Sequence, residues 1–241
     1  TILECIYEPT FSKLSHGFRP NRSVHSALAQ VETWRSTVWF IEGDISACFD
    51  EIDHRILESI LRERIHDERF IRLINKLLKA GYFDMEHKFH STKQGNAQGS
   101  CASPILANIY LDKLDRFMEE VIERDTMGKH RRQNPEYARL RYQLDKAISV
   151  HDVKEIKRLR KELKSTSSVD NFDSSFRRVH YVRYADDFLI GTISSRAYAQ
   201  QLKQEIKQFL ENELHLRLSE EKTLITHAKN EKAHFLGYLI N

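Results

Sequence analysis

The sequence is poor in residues that break or bend a chain. Its 241 residues include four Pro and eight Gly, so we expect long elements and few tight turns. It has no run of 18 apolar residues, which predicts no membrane span. Cysteine is scarce too, since Cys5, Cys48 and Cys101 are far apart and outside any C-x-x-C pair. This pattern predicts a reducing compartment and no structural zinc site.

No signal peptide is visible in this sequence, and the chain begins with Thr1 inside an apolar-periodic stretch. This start predicts a fragment of a longer protein. With 40% hydrophobic residues, the chain is long enough for one large domain or two small ones. Truncation would bare apolar surface, and contiguous apolar patches favour association. We therefore predict that the fragment can form a homodimer.

Positive charge is concentrated in one part of the chain. Residues 124–178 contain fifteen Lys or Arg against eight Asp or Glu, a local charge of +7 in a chain whose net charge is +3. The rest of the chain therefore carries −4. A basic block beside an acidic remainder predicts a surface that contacts a polyanion and another that binds a cation. The alternative is that the charge run is simply a solvated face.

Apolar periodicity predicts several long helices and a few short strands. The helical stripes fall after Ser23 and at 53–65, 70–78, 103–121, 137–148, 153–163 and 198–210. The strand-like segments are 37–45, 83–89, the two sides of Asp186-Asp187, 216–218, 223–226 and 234–240. Gly81 is a predicted helix terminator, and Ser103 a predicted N-cap before Pro104. Because the strands are non-sequential and interleaved with long helices, we predict an α+β fold.

Two adjacent carboxylates, Asp186 and Asp187, interrupt the strand-like stretch YVRYADDFLI (181–190). Burying them unpaired would cost several kcal/mol or force one to hold a proton. A strand on each side predicts a hairpin with the acids at its tip, facing a cleft. A divalent cation stabilises like charges held this close, and hard oxygen ligands suit Mg²⁺.

A second acid is needed to hold two metal ions, and Asp44 offers it at the end of the strand-like part of FIEGDISACFD (40–50). The small Ser46 and Ala47 follow, so backbone N–H groups there could meet a triphosphate. A lone acid at a strand end is more often a solvated turn or a helix cap. We predict that simpler role for Asp50 and Asp53.

Several motifs support one reading when they are taken in order. YADD between apolar strands resembles the signature of reverse transcriptases, and DISACFDEIDH (44–54) resembles their upstream aspartate motif. GNAQGSCASPILANIYLDKLD (95–115) resembles the loop and helix between them, and SHGFRPNRSVHSAL (15–28), LSEEKT (218–223) and FLGY (235–238) also match. The family that the chain resembles most closely is the group II intron-encoded reverse transcriptases, also called maturases. The resemblance covers nearly the whole chain, and the basic helical pair resembles an insertion typical of that family.

The resemblance implies a right-hand polymerase with fingers and palm, in which an antiparallel palm sheet packs on long helices. It implies one reverse transcriptase domain over 1–241, truncated at both ends, with the basic helical insertion at 124–178. The implied reaction is DNA synthesis from an RNA template, a DNA primer and deoxynucleoside triphosphates. Asp44, Asp186 and Asp187 would hold two Mg²⁺ ions, for which Mn²⁺ could substitute, and the backbone of Ile45 would add a carbonyl ligand.

The resemblance also assigns residues around the nucleotide. Phe49 would lie under the sugar, Gln98 near the incoming nucleotide and the template, and Ala47 and Cys48 beside the nucleotide. Lys222 would donate a proton to pyrophosphate. The alternatives are a core aromatic for Phe49 and an exposed surface lysine for Lys222.

Two departures from the family pattern matter. Asn96-Ala97 stand where the family commonly has Thr-Pro, which predicts a less rigid loop before Gln98. Family members also carry an upstream fingers segment that grips the triphosphate, and a thumb downstream. We expect that a chain ending at Asn241 keeps the metal site but lacks the full nucleotide grip and duplex clamp.

The basic helices are predicted to bind intron RNA and to assist splicing and mobility, because Arg and Lys suit phosphate and structured RNA. The residues are Arg131, Arg132, Arg139, Arg141, Lys157, Arg158, Arg160, Lys161 and Lys164. One rival is a viral-type RNA-dependent RNA polymerase, which usually has G-D-D and a small or acidic residue in place of Phe49. Another is a non-enzymatic RNA-binding maturase that uses the palm as a scaffold. The expected location is a bacterial-type cytoplasm, with an organelle left open.

Overall fold

The structure is a computed structural model that describes residues 1–83, 89–90, 94–95, 101–170, 173 and 175–240. Its contacts divide the chain into two compact units. The first comprises residues 1–124 with 179–241, and the second comprises residues 125–178. Within the described ranges, no helix is long and apolar enough to cross a membrane.

Helices make up most of the regular structure. In chain order they are α1 (Ile2–Tyr7), a short 3₁₀ helix (Glu8–Thr10), α2 (Val24–Glu32), α3 (Cys48–Glu51), α4 (His54–Arg62), α5 (Glu68–Lys79), α6 (Ser103–Asp125), α7 (Pro135–Ser149), α8 (Val153–Ser165) and α9 (Arg196–Glu213). The strands are β1 (Trp39–Ser46), β2 (Tyr82–Phe83), β3 (Phe89–His90), β4 (Arg178–Tyr184), β5 (Asp187–Ile193), β6 (Arg217–Leu218), β7 (Leu224–His227), β8 (Ala233–Phe235) and β9 (Tyr238–Ile240).

The main sheet is built around β1. This strand pairs antiparallel with β5 on one side and with β6 and β7 on the other, and β4 lies outside β5. The register of β1 and β5 sets Gly43 opposite Phe188 and Asp44 opposite Asp187. A mixed fold of long helices and an antiparallel sheet confirms the predicted α+β class.

The long helix α6 shares its buried face with the sheet. Leu106, Tyr110, Leu114 and Met118 recur every four residues, so they lie on one face of the helix, and all four are buried. The hydroxyl of Tyr110 donates to the carbonyl of Leu214 at 2.6 Å, which satisfies the one polar atom that this stripe buries. The core thereby links α6 to the segment just after α9.

The predicted helix caps are largely confirmed. The hydroxyl of Ser23 accepts from the backbone of α2, and the carboxylate of Asp53 accepts from the first turn of α4. Gly81 has a φ of +70°, the left-handed conformation that ends α5. At α6, Ser103 is the first helical residue. That helix also runs past Val121 to Asp125, and an ion pair between Arg124 and Glu205 at 2.8 Å supports its last turn.

Two segments predicted as single strands are hairpins. Over 83–89, β2 and β3 pair antiparallel with each other, while Met85 and His87 lie outside the described residues. Over 234–240, β8 and β9 pair across Leu236 and Gly237, which have φ values of +53° and +81°. Positive φ at both central residues reverses the chain in a tight hairpin turn, which alternation of side chains alone does not reveal.

The second unit is a pair of packed helices. Leu140, Leu144 and Ala147 of α7 meet Leu159 of α8 in a small separate core. Asn134 caps α7 and Asp152 caps α8 through their side chains. The capping box expected with Glu155 does not form, because that carboxylate binds Arg158 one turn later.

Candidate active site

Three acidic residues lie at the end of the sheet where β1 pairs with β5. Asp44 lies near the end of β1, directly opposite Asp187, the first residue of β5. Asp186 precedes it in the two-residue turn, Ala185-Asp186, that joins β4 to β5. Ala185 takes a φ of +57°, a conformation that is rare for a residue with a side chain. The sheet register therefore gathers the acids that the sequence separates by more than 140 positions.

A buried guanidinium, that of Arg183, supports this turn through a hydrogen bond to its backbone. Arg183 donates to the carbonyl of Ala185 at 2.8 Å and forms a two-pronged pair with Asp115 of α6 at 2.8 and 2.6 Å. Both side chains are at most 1% exposed, and the hydroxyl of Tyr181 adds a third hydrogen bond to Asp115 at 2.9 Å. Burial lowers the pKa of Arg183, but the Asp115 carboxylate outweighs this and leaves it raised. The guanidinium therefore stays charged and fixes the turn that carries Asp186.

An aromatic ring covers the backbone beside Asp44. The ring of Phe188 lies across Gly43, where an added Cβ would come within 2.1 Å of it. Phe188 is 1% exposed, so the ring can move only if it displaces buried neighbours. Only glycine at position 43 lets the two strands keep this contact next to the carboxylates.

The ammonium group of Lys222 forms an ion pair with Asp44. The Nζ atom of Lys222 is 3.1 Å from Oδ2 of Asp44, although the lysine side chain is 71% exposed. The hydrogen bond to Asp44 raises the pKa of Lys222. The backbone supports this approach, since the N–H of Ser219 donates to the carbonyl of Asp44 at 2.8 Å. Lys203 donates to the carbonyl of Thr223 at 2.7 Å and holds the far side of the same turn.

The electrostatics of the site reflect burial first and crowded negative charge second. Burial first, then the charges of Asp186 and Asp44 and a hydrogen bond to Asp44, raise the pKa of Asp187 to about 6, and Lys222 partly opposes this. Burial and the same acids raise the pKa of Cys48 to about 12, so its thiol stays neutral. In the described part of the chain, no three Asp, Glu, His or Cys groups are close enough to hold a metal ion as they stand. The donor chemistry nevertheless fits a hard divalent cation, which would take the place of the lysine as counter-charge.

Three of the residues predicted to surround the nucleotide, Ala47, Cys48 and Phe49, directly follow β1. Ala47 has a φ of +44° and turns the chain from β1 into α3. Phe49 in α3 is half-buried, and its ring meets that of Phe18 edge to face, with centroids 6.1 Å apart. Gln98, with Asn96 and Ala97, lies outside the described residues.

Gly95, the last described residue before Gln98, is anchored on this same region. Gly95 donates its N–H to the carbonyl of Ile52 at 2.9 Å, and its own carbonyl lies 2.6 Å from Nε2 of His54. Asp53 caps α4, as predicted, whereas Asp50 lies within α3. Ile45, whose carbonyl is a predicted metal ligand, has a buried side chain and pairs with Leu218 of β6.

The sequence profile described as "Reverse transcriptase (RNA-dependent DNA polymerase)" matches residues 1–240. The chain belongs to the reverse transcriptase family. Group II intron-encoded protein LtrA from Lactococcus lactis is 40% identical over 98% of this chain and 41% of its own length. A putative COX1/OXI3 intron 2 protein from Saccharomyces cerevisiae is 39% identical over 98% of this chain and 28% of its own length. The chain thus spans less than half the length of these curated relatives.

A solved structure supports the fold of this reverse transcriptase domain. Telomerase from Candida albicans, solved with a fragment of telomeric RNA, matches with a TM-score of 0.59 and 13% identity. The match covers all of this chain and 35% of the telomerase chain. At that identity the likeness concerns the fold, which is that of a polymerase.

The second unit of the reverse transcriptase domain carries the predicted RNA-binding side chains. Eight of the nine are exposed, and Arg131 is half-buried. Three are paired with carboxylates, namely Arg132 with Asp173, Arg141 with Asp145, and Arg158 with Glu155 and Glu162. Five have no carboxylate partner within the described ranges: Arg139, Lys157, Arg160, Lys161 and Lys164.

Sequence reasoning missed the pair of Arg183 and Asp115. A signal was present, since an arginine inside the apolar strand YVRYADD needs a partner if that strand is buried. The partner could not be read from the sequence, because the match depends on how α6 crosses the sheet.

Proposed function

We propose that the chain is the catalytic part of a group II intron-encoded RNA-directed DNA polymerase. The observation that carries this proposal is the register that sets Asp44 opposite Asp187, with Asp186 in the adjoining turn. The proposed substrates are an RNA template, a DNA primer and deoxynucleoside triphosphates. The proposal concerns the whole protein, of which this chain supplies the acid site.

In this reaction Asp44, Asp186 and Asp187 would hold two Mg²⁺ ions or Mn²⁺ in their place, with the carbonyl of Ile45 as a further ligand. When bound, such ions activate the primer 3′-hydroxyl and neutralise the leaving pyrophosphate. The raised pKa of Asp187 supports the proposal, because burial and then the charges of Asp186 and Asp44 disfavour the ionised carboxylate, and a bound cation would offset both effects. Lys222, whose ammonium lies on Asp44, would give its proton to the pyrophosphate.

The residues after β1 would receive the nucleotide. Backbone N–H groups at Ala47 and Cys48 follow the left-handed turn and would approach the triphosphate. Phe49 would lie under the sugar and exclude a 2′-hydroxyl by steric clash. Gln98, which lies outside the described residues, would contact the incoming nucleotide and the template.

Primer extension on an RNA template with Mg²⁺ tests the polymerase proposal. Asp186→Asn removes one ligand charge and should reduce extension to background while the fold is kept. Asp145→Asn is the matched control, because it removes a carboxylate that is 64% exposed on α7. Extension by Asp186→Asn at the rate of the control would refute the assignment of the acids.

A second function, intron RNA binding that assists splicing and mobility, rests on the five cations of α7 and α8 that have no carboxylate partner among the described residues. A cation without a carboxylate partner can bind phosphate with no ion pair to break. Each phosphate contact contributes about 0.7–0.9 to the slope of log affinity against log salt. Replacing Arg160, Lys161 and Lys164 with Ala should therefore weaken binding to folded intron RNA and flatten that slope.

Arg158→Ala provides the control within the same helix, because Glu155 and Glu162 already neutralise this guanidinium. It should change RNA affinity much less than the triple variant does. Extension on a short primer–template should stay the same in both, since neither alters the acids. Equal affinity and salt slope in the triple variant and the parent would leave these helices as a solvated scaffold.

The alternative is an RNA-binding maturase in which the palm is only a scaffold. It predicts intron RNA binding that survives Asp186→Asn, together with no extension by the parent protein. The proposed homodimer of this fragment is tested by its sedimentation mass. A cytoplasmic or organellar site of action is proposed from the bacterial and fungal origins of the intron-encoded relatives.

A further inference from the structure

The loop before α2 is fastened to the catalytic turn. Ser15 bridges to Arg183 in the outer strand β4, where the N–H of His16 donates to the carbonyl of Arg183 at 2.8 Å. Gly17 lies against the turn itself, since an added Cβ would be 2.3 Å from the backbone nitrogen of Ala185. Only a glycine can lie this close, so the loop keeps a fixed position relative to the acids.

A second set of contacts fixes the loop on both sides of one residue, Phe18. Before it, Asn108 of α6 donates to the carbonyl of Gly17 at 2.9 Å. After it, Arg19 is 8% exposed, donates to the carbonyl of Ser15 at 2.8 Å and pairs with a glutamate at 2.9 Å. The backbone of Phe18 is therefore held from both directions.

Phe18 has a conformation that its surroundings impose. Its φ is +56°, which is uncommon for a bulky residue, and its side chain is 53% exposed. The ring meets Phe49 at an interplanar angle of 80°. Strained backbone maintained by its neighbours is typical of functional positions. Phe18 therefore combines a strained backbone with a half-exposed ring that contacts Phe49.

We propose that Phe18 is a specificity-determining residue that positions Phe49 against the sugar of the incoming nucleotide. The inference rests on the proposed function, in which Phe49 excludes ribonucleotides. A clash discriminates between two substrates only if the clashing group cannot move away. Phe49 belongs to a helix of four residues and packs against the core on one side, but it is only half-buried, so the rest of its ring needs support. The edge contact from Phe18, itself fastened to the catalytic turn, supplies that support.

The test is the selectivity for dATP over ATP, measured as a ratio of kcat/KM in single-nucleotide addition on an RNA template. Phe18→Ala should lower this ratio by about 3- to 10-fold, the value of one edge-to-face aromatic contact. Its addition of dATP should change by less than about 3-fold, because no group that binds metal or triphosphate is altered. Phe18→Tyr keeps the ring and should keep the parent selectivity.

Two further variants separate this role from a structural one. Phe18→Gly also removes the ring but relieves the backbone strain, so it should lose as much selectivity as Phe18→Ala. In a Phe49→Ala background, Phe18→Ala should cause no further loss, since it acts through the missing ring. The ratio of the dissociation constants of ATP and dATP on a chain-terminated primer–template is measured as well, because it requires no turnover.

The outcomes distinguish this inference from the function it builds on. If Phe49→Ala relaxes selectivity and Phe18→Ala does not, Phe18 has no role in excluding ribonucleotides and the inference is wrong. If Phe49→Ala itself leaves selectivity unchanged, Phe49 does not exclude ribonucleotides, and the inference fails with that assignment. If Phe18→Tyr loses as much as Phe18→Ala, ring support is not the cause and the inference is overturned.

Discussion

Replacing one acid of the site should change how the stability of the metal-free protein depends on pH. Asp187 has a pKa of about 6 in the folded protein, against 3.8 for an unperturbed side chain. A raised pKa means that the folded state holds the proton more tightly than the unfolded state does. The resulting stability is fully present below pH 3.8 and is lost as the pH rises through about 6.

The size of this loss follows from the shift. About two pKa units correspond to roughly 3 kcal/mol, at 1.36 kcal/mol per unit. Because the carboxyl of Asp187 is only half-buried, solvent screening reduces this to about 1–2 kcal/mol. Asp187→Asn does not titrate, so it should be more stable than the parent by that amount at pH 7.5, with the advantage vanishing at pH 4. In a domain of this size the gain is about 2–8 °C in Tm.

Urea unfolding in EDTA at pH 4, 5.5 and 7.5 measures the effect, with Asp145→Asn as the exposed-acid control. Added Mg²⁺ should then stabilise the parent and reverse the order at pH 7.5, since a ligand of the folded state raises its stability. The variant, which lacks one ligand, should respond far less. If the free energy of unfolding depends on pH in the same way for Asp187→Asn and the parent, the raised pKa of Asp187 is refuted.

Three other substitutions test separate parts of the site. Asp115→Asn leaves the guanidinium of Arg183 buried without its counter-charge and should cost about 3–5 kcal/mol in urea unfolding, and a cost under about 1 kcal/mol would contradict the buried pair. Gly43→Ala forces the ring of Phe188 to move and should cost about 1–3 kcal/mol, with reduced primer extension; unchanged stability would show that the ring has room. Lys222→Ala should slow nucleotide addition by about 10²- to 10⁴-fold in single-turnover assays without weakening primer–template binding. A normal rate would show that Lys222 is only an exposed surface lysine.

The helices and their caps were predictable because their signals are local. Apolar spacing marked α4 and α5, and Ser23 and Asp53 cap helices where the sequence placed them. The hairpins at 82–90 and 233–240 were not predictable from alternation, because a strand and a hairpin alternate alike until the turn conformation is known. That conformation at Leu236-Gly237 depends on backbone angles and not on a pattern of hydrophobicity.

The sequence by itself determined which residue types are available for chemistry. Two adjacent acids between apolar strands, and a third acid at the end of another strand, already indicated a cation site, and the order of the motifs indicated the family. These inferences hold because a carboxylate in an apolar strand is costly wherever the chain folds.

Tertiary structure alone decided what each of these residues meets. The register of β1 and β5 pairs Asp44 with Asp187, and the crossing of α6 gives Arg183 its partner. The turn at residues 219–223 brings Lys222 to Asp44, and the loop before α2 brings Phe18 to Phe49. Each of these contacts joins residues at least 31 positions apart in the chain. Such contacts depend on how whole elements pack, and no local pattern in the sequence specifies that packing.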